Sequence, residues 1–217
     1  LGLAERHSFI AGVVGWVDFE SANAPDVLDD LAQDSALVGL RPMIQDIEDV
    51  GWLERPDVRR SFRILEARGV CFDFLIKPHQ LEATLDVLDA CPALRAVIDH
   101  IAKPDIARGA IAPWDERLER VSRHPNVYCK LSGMITEADH ERWTPGDLAP
   151  FIAHALRCFG PARSMFGSDW PVCTLAGSYA QVVAALEETL SSLAIDTRGL
   201  DAIFGGTARD FYRLSLA

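Results

Sequence analysis

The chain of 217 residues contains no run of about 18 apolar residues, the length a membrane-spanning helix requires. It also lacks a basic start followed by an apolar centre, so no secretory signal is read. Basic charge is scarce: 21 Lys and Arg stand against 32 Asp and Glu, a net charge of −11, and no basic stripe marks a nucleic-acid surface. The five cysteines (Cys71, Cys91, Cys129, Cys158 and Cys173) form no C-x-x-C pair, which suits reduced thiols in a cytoplasmic protein better than a disulfide framework. No G-x-G-x-x-G or P-loop follows a strand-like run, which removes the usual support for a nucleotide-binding open sheet. Linkers, repeats and low-complexity tracts are absent too, and residues 1–217 read as a single domain.

What is present is a regular alternation of apolar runs and helical periodicity. The strand-like runs are "AGVVGWVDF" (11–19), "LVGLRPMIQD" (37–46), "VCFDFLI" (70–76), "LRAVIDH" (94–100), "NVYCKLSGM" (126–134) and "SMFGSD" (164–169). Each is followed by a stretch with helical spacing. "TPGDLAPFIAHALRCFG" carries the clearest signals, with Thr144 as N-cap, Pro145 in first position, Asp147 in the first turn and Gly160 past the end. Six β-then-α units imply a parallel sheet covered by helices. The choice lies between an open doubly wound sheet and a (β/α)8 barrel. Polar residues at successive strand ends favour the barrel: Asp18, Arg41 and Gln45, Lys77 and His79, Asp99 and His100, Lys130 and Ser132, and Asp169. The opening "LGLAERH" reads as the last turns of a helix, as expected of a barrel truncated to about six βα units by loss of its first two strands.

Asp169 stands out among the candidates. A carboxylate at the end of a buried strand can hold a water and take its proton, although it could equally cap the next helix. Asp99 and His100 share another strand end, where alternation allows only one of them to face inward; an inward His100 could ligate a metal or donate to a carbonyl oxygen. Arg41, in "GLRPMI", needs an anionic or polyhydroxylated partner, or an internal ion pair. Trp170, Trp52 and Trp143 could present flat surfaces to a ligand, though core packing is the commoner fate of Trp. His79, Lys77, Lys103 and Lys130 are secondary candidates.

Taken together, "GVVGWVDF", "GLRPMIQD", "FDFLIKPHQL", "VIDHIAKP", "NVYCKLSGM", "MFGSDWPVC" and "GGTARDFYRL" resemble the amidohydrolase-2 type of metal-dependent hydrolase over essentially the whole chain. The resemblance is to its sugar-lactonase group, the L-fuconolactonase and L-rhamnono-lactonase type, and more distantly to 2-pyrone-4,6-dicarboxylate lactonase. It implies a distorted (β/α)8 barrel that hydrolyses the lactone of a sugar acid. By motif, Asp169 would be the general base, His100 the group beside the lactone carbonyl, and Arg41 a substrate-binding residue; Trp170, Lys103 and His79 are the further substrate-binding candidates among the residues named above. The family's H-x-H pair has no counterpart here, and Thr207 stands where the family often has Asn. A divalent metal such as zinc would then have only His100 and Asp169, short of the three protein ligands of a catalytic zinc. The expected partner is a small sugar lactone, not nucleic acid or membrane, and a homo-oligomer could cover the exposed strand edges. Two other readings stay open: a non-catalytic remnant acting as an assembled scaffold or small-acid binder, and a metal-dependent decarboxylase, the latter disfavoured by the missing H-x-H.

Overall fold

A computed structural model describes residues 1–215. Six strands, β1 (Val13–Gly15), β2 (Leu37–Leu40), β3 (Cys71–Phe74), β4 (Ala96–Ile98), β5 (Val127–Leu131) and β6 (Ser164–Phe166), form one sheet in chain order, every neighbouring pair parallel. The intervening helices are α1 (Ala24–Leu31), α2 (Pro56–Arg68), α3 (Leu81–Ala90), α4 (Trp114–Ser122), α5 (Pro145–Phe159) and α6 (Tyr179–Ser192); α7 (Thr197–Asp201) and α8 (Thr207–Tyr212) end the chain. This is the half-barrel that six consecutive βα units build. All six expected strands are present but shorter than their apolar runs; β2, β4 and β5 end where Arg41, Asp99 and Ser132 begin the loops, while β1 and β3 end within apolar residues. Residues 1–7 form successive turns rather than the helix end expected of them. The last expected helix stops at Tyr212, and Leu216 lies outside the described residues.

Local chemistry explains the helix boundaries. At α5 the N-cap is Thr144, as expected, and the Asp147 carboxylate accepts from the Thr144 N–H and hydroxyl at 2.7 and 2.8 Å. At α2 Gly69 adopts φ 64°, the left-handed stop that glycine tolerates best.

The strands sort their side chains with period two. Phe72, Phe74, Ala96, Ile98, Val127, Cys129 and Leu131 join the main core between sheet and helices. Out of step with them, Cys71, Val97 and Met165 form a smaller cluster on the concave inner face with Phe211 of α8, against which Tyr128 and Tyr212 pack. Arg95, just before β4, donates to the carbonyls of Phe211 and Asp210 at 2.8 and 2.7 Å. Helix α8 therefore plugs the amino-terminal end of the hollow, and the inner face is left open toward the carboxyl ends of the strands. No helix among the described residues is long and apolar enough to cross a membrane.

Candidate active site

Above the α8 plug, inner-facing positions of successive strands become charged. Lys130 of β5 lies 2.5 Å from Asp73 Oδ2 of β3 and 2.8 Å from Asp99 Oδ1, just past β4. Arg41, following β2, donates to Asp99 Oδ2 at 3.1 Å, and the Tyr212 hydroxyl donates to Asp73 Oδ2 at 2.7 Å. Both carboxylates are wholly buried, so their charge is tolerable only because two cations lie against them. Burial pushes the Asp73 carboxyl up to about 6 even with Lys130 opposing it. Burial also works against ionisation of Asp99, but Lys130 and Arg41 hold its carboxyl below the ordinary value.

The next layer up contains His100, Ser132 and Asp169. His100 Nδ1 is 2.8 Å from Ser132 Oγ, and its Nε2 is 3.5 Å from Asp169 Oδ1. An ionised Asp169 can only accept, so the tautomer with the proton on Nε2 fits, and the Ser132 hydroxyl then donates to Nδ1. Burial pulls the His100 pKa below its usual value despite the nearby carboxylates, which keeps the ring neutral. Asp169 Oδ2 is buried with no hydrogen-bond partner among the described residues. A buried carboxylate oxygen of this kind calls for a water or ligand atom.

Strand alternation allows only one of Asp99 and His100 to look inward, and the structure corrects this: both do. The chain leaves the β conformation at His100 and adopts φ values of 53°, 47°, 60° and 52° from His100 through Lys103. This left-handed turn swings the imidazole back over the strand end toward Ser132 and Asp169. Left-handed backbone costs a non-glycine residue about 1–2 kcal/mol, so four in succession need strong support. Gly133 gives the ring room, since a Cβ there would come 2.7 Å from the imidazole. Asp169 is itself left-handed, at φ 56°.

Of the other expected residues, Arg41 reaches the charged layer with its side chain 39% exposed, leaving part of the guanidinium open to a ligand. Trp170 is exposed beside Asp169. The Lys103 ammonium is already paired with Glu137. His79 is exposed in the turn before α3 and makes none of these contacts. Trp52 belongs to the core, and Trp143 donates its indole N–H to the Ala176 carbonyl. Sequence reasoning missed Asp73 and Tyr212. The signal for Asp73 was there, a lone carboxylate at the inner-facing position of the apolar run "FDF".

A zinc site is not completed by these residues. His100 and Asp169 are close enough to share an ion, but among the described residues no three His, Cys, Asp or Glu side chains converge. That falls one short of the three protein ligands such sites use, and no chemical step is assigned to a metal.

The amidohydrolase family model matches residues 3–214. The chain belongs to that family. It is 40% identical to an L-fucono-1,5-lactonase of Burkholderia ambifaria, over 99% of this chain and 74% of that protein. Identity is 28% to an L-rhamnono-gamma-lactonase of Scheffersomyces stipitis, over 63% of this chain and 46% of that protein. Among solved structures, an amidohydrolase from Burkholderia multivorans with bound zinc superposes with a TM-score of 0.92 at 34% identity, covering 99% of this chain and 77% of the other. This amidohydrolase thus spans about three quarters of the length of the two Burkholderia proteins.

Proposed function

We propose that this amidohydrolase hydrolyses the lactone of a sugar acid, of the L-fucono-, L-galactono- or L-rhamnono-lactone type. The observation that carries the reading is the pairing of His100 with Asp169 across 3.5 Å, the second Asp169 oxygen buried and unbonded. The lactonases among its relatives support the substrate class. Asp169 takes a proton from water as that oxygen attacks the lactone carbonyl. His100, neutral and protonated on Nε2, donates to the carbonyl oxygen as negative charge develops there. The acyl–oxygen bond then breaks, the ring oxygen leaves as a hydroxyl with the proton returned from Asp169, and the product is an open-chain sugar acid. Arg41 and Trp170 orient the polyhydroxylated ring, with Lys103 and His79 at its outer edge.

A second reading is favoured by the donor count. With two metal-binding side chains where a catalytic zinc takes three, the chain would instead bind a small acid, or persist as an assembled scaffold whose β1 and β6 edges are covered by another copy. Turnover of L-fucono- or L-galactono-lactone by the wild-type chain, abolished by Asp169→Asn with the fold unchanged, supports the first reading. No turnover across a broad lactone panel by folded protein supports the second.

A further inference from the structure

The left-handed turn that delivers His100 is gripped from outside the hollow. Ile101 and Ala102, at its centre, are fully buried, and the Ile101 carbonyl accepts the indole N–H of Trp114 at 2.6 Å. Trp114 opens α4 in the helix layer, where its ring lies against Phe151 and His154 of α5. At the turn's two ends, the Lys103 N–H donates to the His100 carbonyl at 2.8 Å and the Lys103 side chain pairs with Glu137. Below it, Asp99 is held by Lys130 and Arg41.

A buried Trp must place its N–H somewhere. The carbonyl used here belongs to the central residue of the strained turn, and reversing the handedness of the turn would reorient that carbonyl. The hydrogen bond therefore favours the left-handed form over the relaxed one. Loss of the donor would leave the carbonyl buried and unpaired, and turning it toward another donor requires unwinding the turn.

We infer that Trp114, through the Ile101 carbonyl, is a positioning residue that locks the left-handed turn and so brings His100 into the hollow beside Asp169. The helix layer is thereby coupled to the site through one hydrogen bond. The inference rests on the lactonase reading only for its kinetic consequence. The geometric claim stands apart from it.

Trp114→Phe retains an aromatic ring against Phe151 and His154 and deletes the donor. Ala102→Gly makes the left-handed conformation at residue 102 free of Cβ strain, and added to Trp114→Phe it should restore the turn without the clamp. In the full chain, the three-bond HN–Hα couplings and intraresidue HN–Hα NOEs of residues 100–103 report the sign of φ by NMR. The wild type should show four left-handed residues. Trp114→Phe should lose that signature at Ile101 and Ala102, and the double variant should regain it at Ile101. On a turned-over lactone, kcat should fall at least tenfold in Trp114→Phe with KM within about threefold, and recover in the double variant. A purely structural Trp would lower stability without these changes. The inference is overturned if the signature persists in Trp114→Phe, or if glycine restores nothing. Should Trp114→Phe fail to fold, a folded double variant supports the clamp and an unfolded one overturns it. Absence of lactone turnover alongside the expected NMR pattern would refute the lactonase reading and leave the clamp standing.

Discussion

The outer face of the sheet buries Phe72, Phe74, Ile98, Cys129 and Leu131 against helices, whereas the inner face, one residue out of step, buries Asp73 and Asp99 against a half-buried Lys130. Both faces withdraw side chains from water, yet the charged layer of the inner face gains no free energy by doing so. The outer contacts are stabilised by apolar transfer and close packing. On the inner face, desolvation of each charge is offset only by its neighbours, so its members depend on one another. Where two faces of one sheet differ this sharply, the costly one is where chemistry is to be sought.

The largest break in this comparison should come from Asp169→Asn. An amide cannot take a proton from water, so lactone hydrolysis should drop by about 10²–10⁴-fold while urea unfolding and circular dichroism stay close to wild type. A variant retaining more than a tenth of the activity would remove Asp169 from the role of base.

Lys130→Met tests the mutual dependence of the inner charges. It leaves Asp73 and Asp99 buried, with Arg41 still paired to Asp99. Breaking a buried ion pair from one side costs about 3–5 kcal/mol, measurable as a lowered urea midpoint. A loss under 1 kcal/mol would mean that water reaches this layer.

These two faces were not equally legible beforehand. Continuous apolar runs and helical spacing are enough to place the six strands and the helices between them, because burial on both sides of the sheet leaves an apolar signature along each strand. Asp169 and Arg41 could be singled out as charges at strand ends. That Asp99 and His100 both face the hollow could not be foreseen, because the left-handed turn at His100–Lys103 violates local preference and is sustained by tertiary contacts from Trp114 and Gly133. In the sequence Lys130 is only a secondary candidate for a similar reason: its partners Asp73, in β3, and Asp99, just past β4, lie 57 and 31 residues away, and only strand order makes them neighbours.

The pH dependence sharpens the contrast in a third way. Burial raises the Asp73 carboxyl to about 6 from an ordinary value of 3.8. A folded pKa above the unfolded one means that the native state binds the proton more tightly between those values. Its contribution is complete below about pH 4 and is lost as the pH rises through about 6. Acting alone it would amount to on the order of 3 kcal/mol. Asp99, held below its ordinary value, drifts the opposite way and offsets part of this. Urea midpoints between pH 4 and 7 should therefore decline less steeply for Asp73→Asn than for the wild type, since the Asn titrates nothing. Identical slopes would show that Asp73 does not titrate in this window.

The smallest expected effect lies on the outer face. Ile98 is fully buried in the main core, one residue before the charged end of β4. Ile98→Val deletes a single methylene, and such a change costs about 0.5–1.5 kcal/mol depending on how far the surroundings close up. Its neighbour Asp99 keeps every charged partner, because those contacts lie on the opposite side of the strand. The variant should lose that modest stability with unchanged kcat, KM and pH slope. A change in activity as large as that of Asp169→Asn would mean that the two faces are mechanically linked through the strand itself, in addition to any link through the Trp114 clamp, and the division between a packing face and a reacting face would fail.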